Sequence, residues 1–150
     1  MTTEATPFLV IECSVGKPVS LGDAGQGVRR MIPITGGTFT GEISGRVLGD
    51  GADWQYVLPD GTIELSAHYI LETEDGARIE VNSDGLRAGS PEVLDALARG
   101  ENLSPDQYYF RTAMRFRTSI ARHAHLNRQL YVARGARAPA GVRLEVFRVL

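Results

Sequence analysis

Cysteine and lysine are nearly absent from this chain. Its 150 residues include one cysteine, Cys13, and one lysine, Lys17. A single cysteine has no partner for an internal disulfide and cannot build a zinc site alone, which fits a reducing cytoplasm as the expected compartment. No apolar run approaches the ~20 residues of a membrane helix. The N-terminal residues Met1 to Pro7 lack the basic and then apolar pattern of a secretion signal, so no membrane partner is expected. The glycine-rich stretches, Gly22 to Gly27 and Gly36-Gly37, have neither the spacing nor the following helix of a dinucleotide or phosphate loop. No G-x-S-x-G nucleophile elbow occurs, and Cys13 sits in an apolar run, so a thiol nucleophile is not expected. What remains is a globular composition, 43% hydrophobic and 23% charged. That is enough to bury a core and suits one domain over 1–150, with residues 1–6 read as a flexible tail.

The net charge is −2, which argues against a nucleic-acid partner. The charges are unevenly spread. Residues 1–106 hold seventeen acidic and seven basic side chains, whereas residues 107–150 hold nine arginines and one acid, Glu145. Arginines on C-terminal strands paired with acidic strands of the first half would explain this, because opposite charges across neighbouring strands are mildly stabilising. A patch for an anionic ligand is the sharper alternative.

Most segments alternate with a period of two, the signature of half-buried strands. Strands are predicted over Phe8 to Val15, Val28 to Ile34, Phe39 to Leu48, Ile63 to Thr73, Ala77 to Asn82, Tyr108 to Thr118, Leu126 to Arg134 and Val142 to Leu150. Pro59-Asp60-Gly61 and Glu74-Asp75-Gly76 read as turns, since glycine supplies the positive φ of a chain reversal. One helix of about ten residues is predicted, with Ser90 as N-cap, Pro91 in the first position, Glu92 at the positive dipole end and Gly100 beyond the last turn. The expected fold is all-β and mainly antiparallel, a single closed barrel of about eight or nine strands with one short helix. Closure removes free edges, and eight strands leave an interior just wide enough for side chains or one small ligand.

Four motifs, in order, resemble those of the domain-of-unknown-function 3237 family. Arg29 to Gly41 (RRMIPITGGTFTG) is similar to its RRxIPIxGGxFxG signature. Gly51-Ala52-Asp53-Trp54-Gln55, Tyr108-Tyr109-Phe110-Arg111-Thr112 and Leu126-Asn127-Arg128 are similar to its GADWQ, YYFRT and LNR elements. The resemblance runs from about residue 6 to 150. It implies a small lipocalin-like β-barrel and names no activity. There are three departures: Ser66-Ala67-His68-Tyr69 in place of D-A-R-Y, His123-Ala124-His125 in place of Y-A-W, and Phe116-Arg117-Thr118 in place of F-E-T; the first two hold all three histidines.

The candidate chemical groups follow. Histidine suits proton transfer near neutral pH, but strand parity sets His68 opposite Tyr69 and the apolar face, nominally outward. His123 and His125 would share one face if extended, yet no carboxylate follows to complete a metal site. A loop or lid at the barrel mouth is the preferred reading, with His125 contacting substrate and no metal bound. The Gly51–Gln55 segment reads as a mouth loop in which Asp53 acts as base and Trp54 stacks on a planar guest, or else as a structural corner. Tyr109 and Arg111 share a strand face and can hold a carbonyl or enolate oxygen. Tyr69 is the inward polar group whose hydroxyl needs a partner. Asn127 and Arg128 line the mouth or fix a turn.

Two functions fit these features. The first is a cofactor-free acid/base enzyme, a lyase, isomerase, dehydratase or cyclase, acting on a small hydrophobic or aromatic metabolite in the barrel. Asp53, His68, Tyr109 and Arg111 would be its catalytic residues, with Trp54, Tyr69, His125, Asn127 and Arg128 binding substrate. The second is a barrel that binds a ligand, or assembles, without chemistry. Apolar residues on both faces of Phe8–Val15 and Val142–Leu150 point to a homodimer or higher oligomer.

Overall fold

The computed structural model describes residues 1–150. Its strands are β1 (Leu9–Val15), β2 (Val19–Asp23), β3 (Val28–Gly41), β4 (Gly45–Val47), β5 (Gly51–Val57), β6 (Ile63–Thr73), β7 (Arg78–Ala88), β8 (Tyr109–Arg117), β9 (Tyr131–Ala138) and β10 (Gly141–Arg148). One α-helix, α1 (Pro91–Ala98), follows β7. Every strand pairing is antiparallel. The ring runs β1-β10-β9-β8-β7-β6, then through β4 and β5, which share the next position, to β3, and β1–β3 pairing closes it. The result is a closed eight-position barrel, with β2 added as a ribbon on β3.

Side-chain alternation builds the wall. On β6 the inward set is Ile63, Leu65, Ala67, Tyr69, Leu71 and Thr73. On β8 it is Phe110, Thr112, Met114 and Phe116, all buried, with Tyr109 and the arginines outside. The helix is capped as predicted. The Ser90 hydroxyl accepts from the Val93 amide, and Gly100 takes φ 81° just past the last turn. Leu94 and Leu97 join the core. No helix is long and apolar enough to cross a membrane.

Four expectations are corrected. Phe39 to Leu48 is two strands rather than one: β3 ends at Gly41 and β4 folds back on it, with Phe39 opposite Gly45. Both arms keep their parity, so Phe39 and Val47 still point inward. The fold-back needs glycine at Gly41, where φ is 141° and an added Cβ would lie 2.3 Å from the Phe8 carbonyl oxygen. Second, Gly51–Gln55 belongs to strand β5, not to a loop, and pairs with both β3 and β6. Third, residues 121–128 form a 3₁₀ segment, and β9 starts only at Tyr131. Val19–Asp23 is an additional strand, fully exposed, whose alternation is too weak to signal it. The first residues pair with the C-terminus rather than trailing free: Thr3 bridges Val149, and the Glu4 amide donates to the Arg148 carbonyl.

The two ends of the barrel differ. At one end Phe8, Phe116 and Tyr131 pack edge-on and tilted, with ring centroids 4.8–6.4 Å apart. Leu126 of the 3₁₀ segment is buried in the same core. The Arg148 guanidinium covers Phe8 at 4.1 Å and bonds to Glu4 and Glu42. Such edge contacts add about 0.5–1.5 kcal/mol beyond burial. The arginine surplus of the C-terminal third is partly balanced as expected, since Arg143 pairs with Glu12 directly across β10–β1 and Arg122 with Asp75.

Candidate functional site

The opposite half of the barrel contains a cavity of about 40 Å³. That is room for about three waters or a few heavy atoms of a guest. Its wall is mostly apolar, with Leu65, Phe110 and Leu144 among the lining residues. Five groups in the wall carry chemistry: Cys13, Asp53, Tyr69, Ser83 and Thr112.

Strand register sets the depth of each group. Asp53 lies opposite Ile32 on β3 and Ala67 on β6, and Ala67 lies opposite Ser83 on β7. These residues form the middle layer. Tyr69, opposite Val81, is one layer deeper, toward the aromatic plug. One and two layers above Asp53 come Gln55 and Val57 on β5, with Ile63 on β6 opposite Arg87 on β7. Arg30 lies opposite Gln55. Arg87, Arg30 and, from β9, Arg137 therefore ring the upper rim. Helix α1 sits at this end: Leu94 meets the β5–β6 turn at Gly61, and Arg137 donates to the Leu97 carbonyl.

A relay links rim and middle layer. Arg30 Nε donates to Gln55 Oε1 at 2.8 Å, and Gln55 Nε2 donates to Asp53 Oδ2 at 2.6 Å. The other carboxylate oxygen, Asp53 Oδ1, is buried and has no partner. Three further buried polar atoms lack partners: Tyr69 OH, Thr112 Oγ1 and Arg87 Nε. All four belong to the cavity wall or its rim. A buried polar atom left unpaired costs about 1–3 kcal/mol, and such atoms are rare in folded proteins.

Electrostatics follows burial. Burial pushes the Asp53 carboxyl up to about 6; the Gln55 hydrogen bond, the Ser66 backbone and the charges of Arg30 and Arg87 act in the other direction. Burial first, and then repulsion from Arg137 and Arg30, lower Arg87 to about 10. Burial also lowers Arg30. Burial pushes the Cys13 thiol up to about 12 and holds Tyr69 well above the ordinary phenol range. At neutral pH Cys13 and Tyr69 are thus neutral, and Asp53 is mostly ionised with a protonated minority.

Of the residues singled out in the sequence, Asp53 and Tyr69 meet in this cavity. The others do not reach it. His68 is on the outer wall, as its parity required, in a 2.6 Å pair with Glu80. Tyr109 and Arg111 do share a face, but it is the outer one: Tyr109 is 53% exposed, with the Arg111 guanidinium 5.3 Å from its ring. Trp54 alternates with Asp53 on a strand and so points outward, where Arg29 lies 5.2 Å from its ring. His125, Asn127 and Arg128 fall on the 3₁₀ segment at the plugged end, so the expected lid is at the wrong end of the barrel. Asn127 fixes a turn, accepting from the Thr118 amide and donating to the Thr118 carbonyl. No group of three or more His, Cys, Asp or Glu side chains is placed to hold a metal ion.

Cys13, Ser83, Thr112, Gln55, Arg30 and Arg87 were not among the expected site residues. Ser83 and Thr112 had a readable signal, since each is a polar residue on an otherwise apolar strand face. Arg30 and Arg87 had none, because an arginine reaching over a rim looks like any surface arginine in sequence.

Residues 3–149 match the family described as "Protein of unknown function (DUF3237)". A UPF0311 protein of Rhodopseudomonas palustris is 43% identical over 150 residues, covering 99% of this chain and 98% of the relative. The crystal structure of a conserved R. palustris protein of unknown function is similar with TM-score 0.91 at 42% identity, covering 100% of this chain and 99% of that one. A β-barrel-like protein of Acinetobacter baumannii follows at TM-score 0.85 and 36% identity, covering 99% of this chain and 96% of that one. A Penicillium herquei protein described as an enzyme shares the fold at TM-score 0.71 and 21% identity, each chain covered fully. Sequence match and shared architecture agree: this chain belongs to the DUF3237 family of proteins of unknown function.

Proposed function

We propose that the barrel binds a small, largely apolar metabolite in the Asp53 cavity and moves a proton on it without a cofactor. The observation that carries this reading is the convergence of three unpartnered buried polar atoms, Asp53 Oδ1, Tyr69 OH and Thr112 Oγ1, on one cavity in an apolar wall, with a fourth, Arg87 Nε, at its rim. A wall that only excluded water would be better filled with aliphatic side chains. The catalytic pair is Asp53 and Tyr69, replacing the set expected from sequence.

The chemistry balances within the guest. Asp53 Oδ1, free of other bonds, accepts a proton from a carbon beside a carbonyl. The electron pair of that C–H bond moves onto the carbonyl oxygen to give an enolate, toward which the Tyr69 hydroxyl donates a hydrogen bond. The proton then returns from Asp53 to another position. A carboxyl raised toward neutrality suits both directions. Gln55 and Arg30 are positioning residues, holding Oδ2 so that Oδ1 faces the cavity.

Deuterium exchange tests this without knowledge of the natural substrate. A panel of small ketones and enols is incubated with the protein in heavy water, and C–H to C–D conversion is followed by NMR. Exchange by the wild type that is lost in Asp53→Asn and retained in His68→Ala and Tyr109→Phe is expected. Exchange that survives Asp53→Asn overturns the assignment. Binding with no exchange in the wild type leaves a carrier barrel instead of an enzyme.

A further inference from the structure

We propose that the rim above Asp53 is an anion subsite, so that the guest is a small organic acid whose carboxylate lies on Arg87 while its apolar body enters the cavity. This rests on the reading of the cavity as a ligand site and adds the class of ligand. Three observations support it.

The first is charge imbalance. Arg30, Arg87 and Arg137 converge on the rim, and the acid whose charge acts on Arg30 and Arg87 is Asp53, one layer below Arg30 and two below Arg87, with its Oδ2 already taken by Gln55. None of the three arginines makes an ion pair within 4 Å; five others also lack one, of which Arg111, Arg115, Arg117 and Arg128 are exposed to water and Arg29 lies over the Trp54 and Tyr56 rings. Arg30 has given its Nε to Gln55. Arg137 is tied to the Leu97 carbonyl. Arg87 is left as the guanidinium with a buried and unbonded Nε.

The second is shape. A guanidinium presents paired N–H donors that match a carboxylate in bidentate geometry, a match a neutral amide cannot reproduce. The third is position. Arg87 is opposite Ile63 and Phe110, two layers above Ala67 and Asp53. An acid anchored there by its carboxylate would direct its apolar body down the wall toward Asp53 and Tyr69. The small volume of the cavity suits a short guest.

Matched acid and amide pairs test the inference. Butyrate against butyramide, and benzoate against benzamide, are titrated into the full-length protein and followed by amide-resolved NMR shifts. Butyrate is expected to bind at least about tenfold more tightly than butyramide, the discrimination typical of a charge-assisted pair. Arg87→Gln should abolish that preference, Arg87→Lys should keep part of it, and Tyr109→Phe, on the outer wall, should leave it intact. Melting curves of the arginine variants confirm that they are folded. Equal binding of acid and amide overturns the anion subsite while leaving the cavity reading in place. Acid binding that is unchanged in Arg87→Gln, or that shifts amides only outside β6, β7 and β8, overturns the location. Failure of all four probes to bind overturns the inference, while the deuterium-exchange result stands or falls on its own.

Discussion

Replacing Asp53 by asparagine should make the protein more stable at neutral pH. The carboxyl titrates at about 6 in the folded chain and near 4 when the chain is unfolded. The folded value is the higher one, so this group favours the folded state most below about pH 4, and that contribution is lost as pH rises through about 6. The gap of about two pH units corresponds to about 3 kcal/mol at neutral pH. Asparagine keeps an oxygen to accept from Gln55 Nε2 and carries no charge, so it escapes the penalty. Urea unfolding of both proteins at several values between about pH 4 and about pH 7 isolates the term, because every other titrating group cancels in the difference. Asp53→Asn should exceed the wild type by about 2–3 kcal/mol at about pH 7, with the gap nearly closed at about pH 4. A pH-independent difference, or a less stable asparagine variant at neutral pH, refutes the argument that burial dominates at Asp53. The expected outcome is a residue kept at the expense of stability, the usual mark of a functional position.

Further expectations follow from the same geometry. Tyr69→Phe removes a hydroxyl whose contact is the weak one with the Cys13 thiol, so its stability should stay within about 1 kcal/mol of wild type while exchange activity falls; a large loss in thermal melting would show a strong structural bond instead. Gly135→Ala would set a methyl 2.6 Å from the Phe110 ring and should cost about 1–3 kcal/mol in denaturant titration through overpacking. Arg148→Ala should lower stability by about 1–2 kcal/mol by uncovering Phe8 and leaving the partly buried Glu4 without its partner, the exposed Glu42 pair adding little. The Arg148 pairing holds the Glu42 carboxyl below its usual range, so its contribution should fade as pH drops through that lowered value. Leu86, Tyr109 and Val132 are exposed on the outer wall of β7, β8 and β9; if a second copy of the chain covers this face, sedimentation should show a dimer that Leu86→Arg dissolves.

The barrel was legible because period-two alternation survives wherever a strand has one wet face. β6 and β8 state their inward residues almost without error. Parity at His68 also gave the right answer, outward. Legibility failed where parity was correct but the sign of the face was not. Tyr109 and Arg111 were rightly placed together, yet the strand that carries them buries Phe110 and Thr112 instead. Gly51–Gln55 failed for another reason. Its glycine and aspartate mimic a loop, while pairing with β3 and β6 on both sides holds it extended; tertiary pairing overrides weak local propensity. Once the segment is a strand, alternation alone sends Asp53 inward and Trp54 outward. The 3₁₀ segment was misread because Leu126 is a lone buried residue among polar ones, which a short strand and a single helical turn satisfy equally well.

The division between the two ends explains how the fold tolerates its site. Phe8, Phe116 and Tyr131, together with Leu71, Ile79 and Val146, fill one half of the barrel completely. That half gains the aromatic and apolar burial that stabilises so small a domain. The other half holds the partly buried Asp53, two rim arginines pushed below their ordinary basicity, and four unpaired polar atoms. Because the ladder of strands runs through both halves, the packed end fixes the register that places Asp53, Tyr69 and Arg87 in successive layers. Substitutions in the upper half should therefore change binding and proton transfer while the barrel stays folded. Substitutions at Phe116 or Tyr131 should unfold it, at about 3–5 kcal/mol for truncation to alanine. Were Phe116→Ala to leave stability intact and abolish exchange, the plug would be part of the site, and the layered assignment of function to Asp53, Tyr69 and Arg87 would have to be given up.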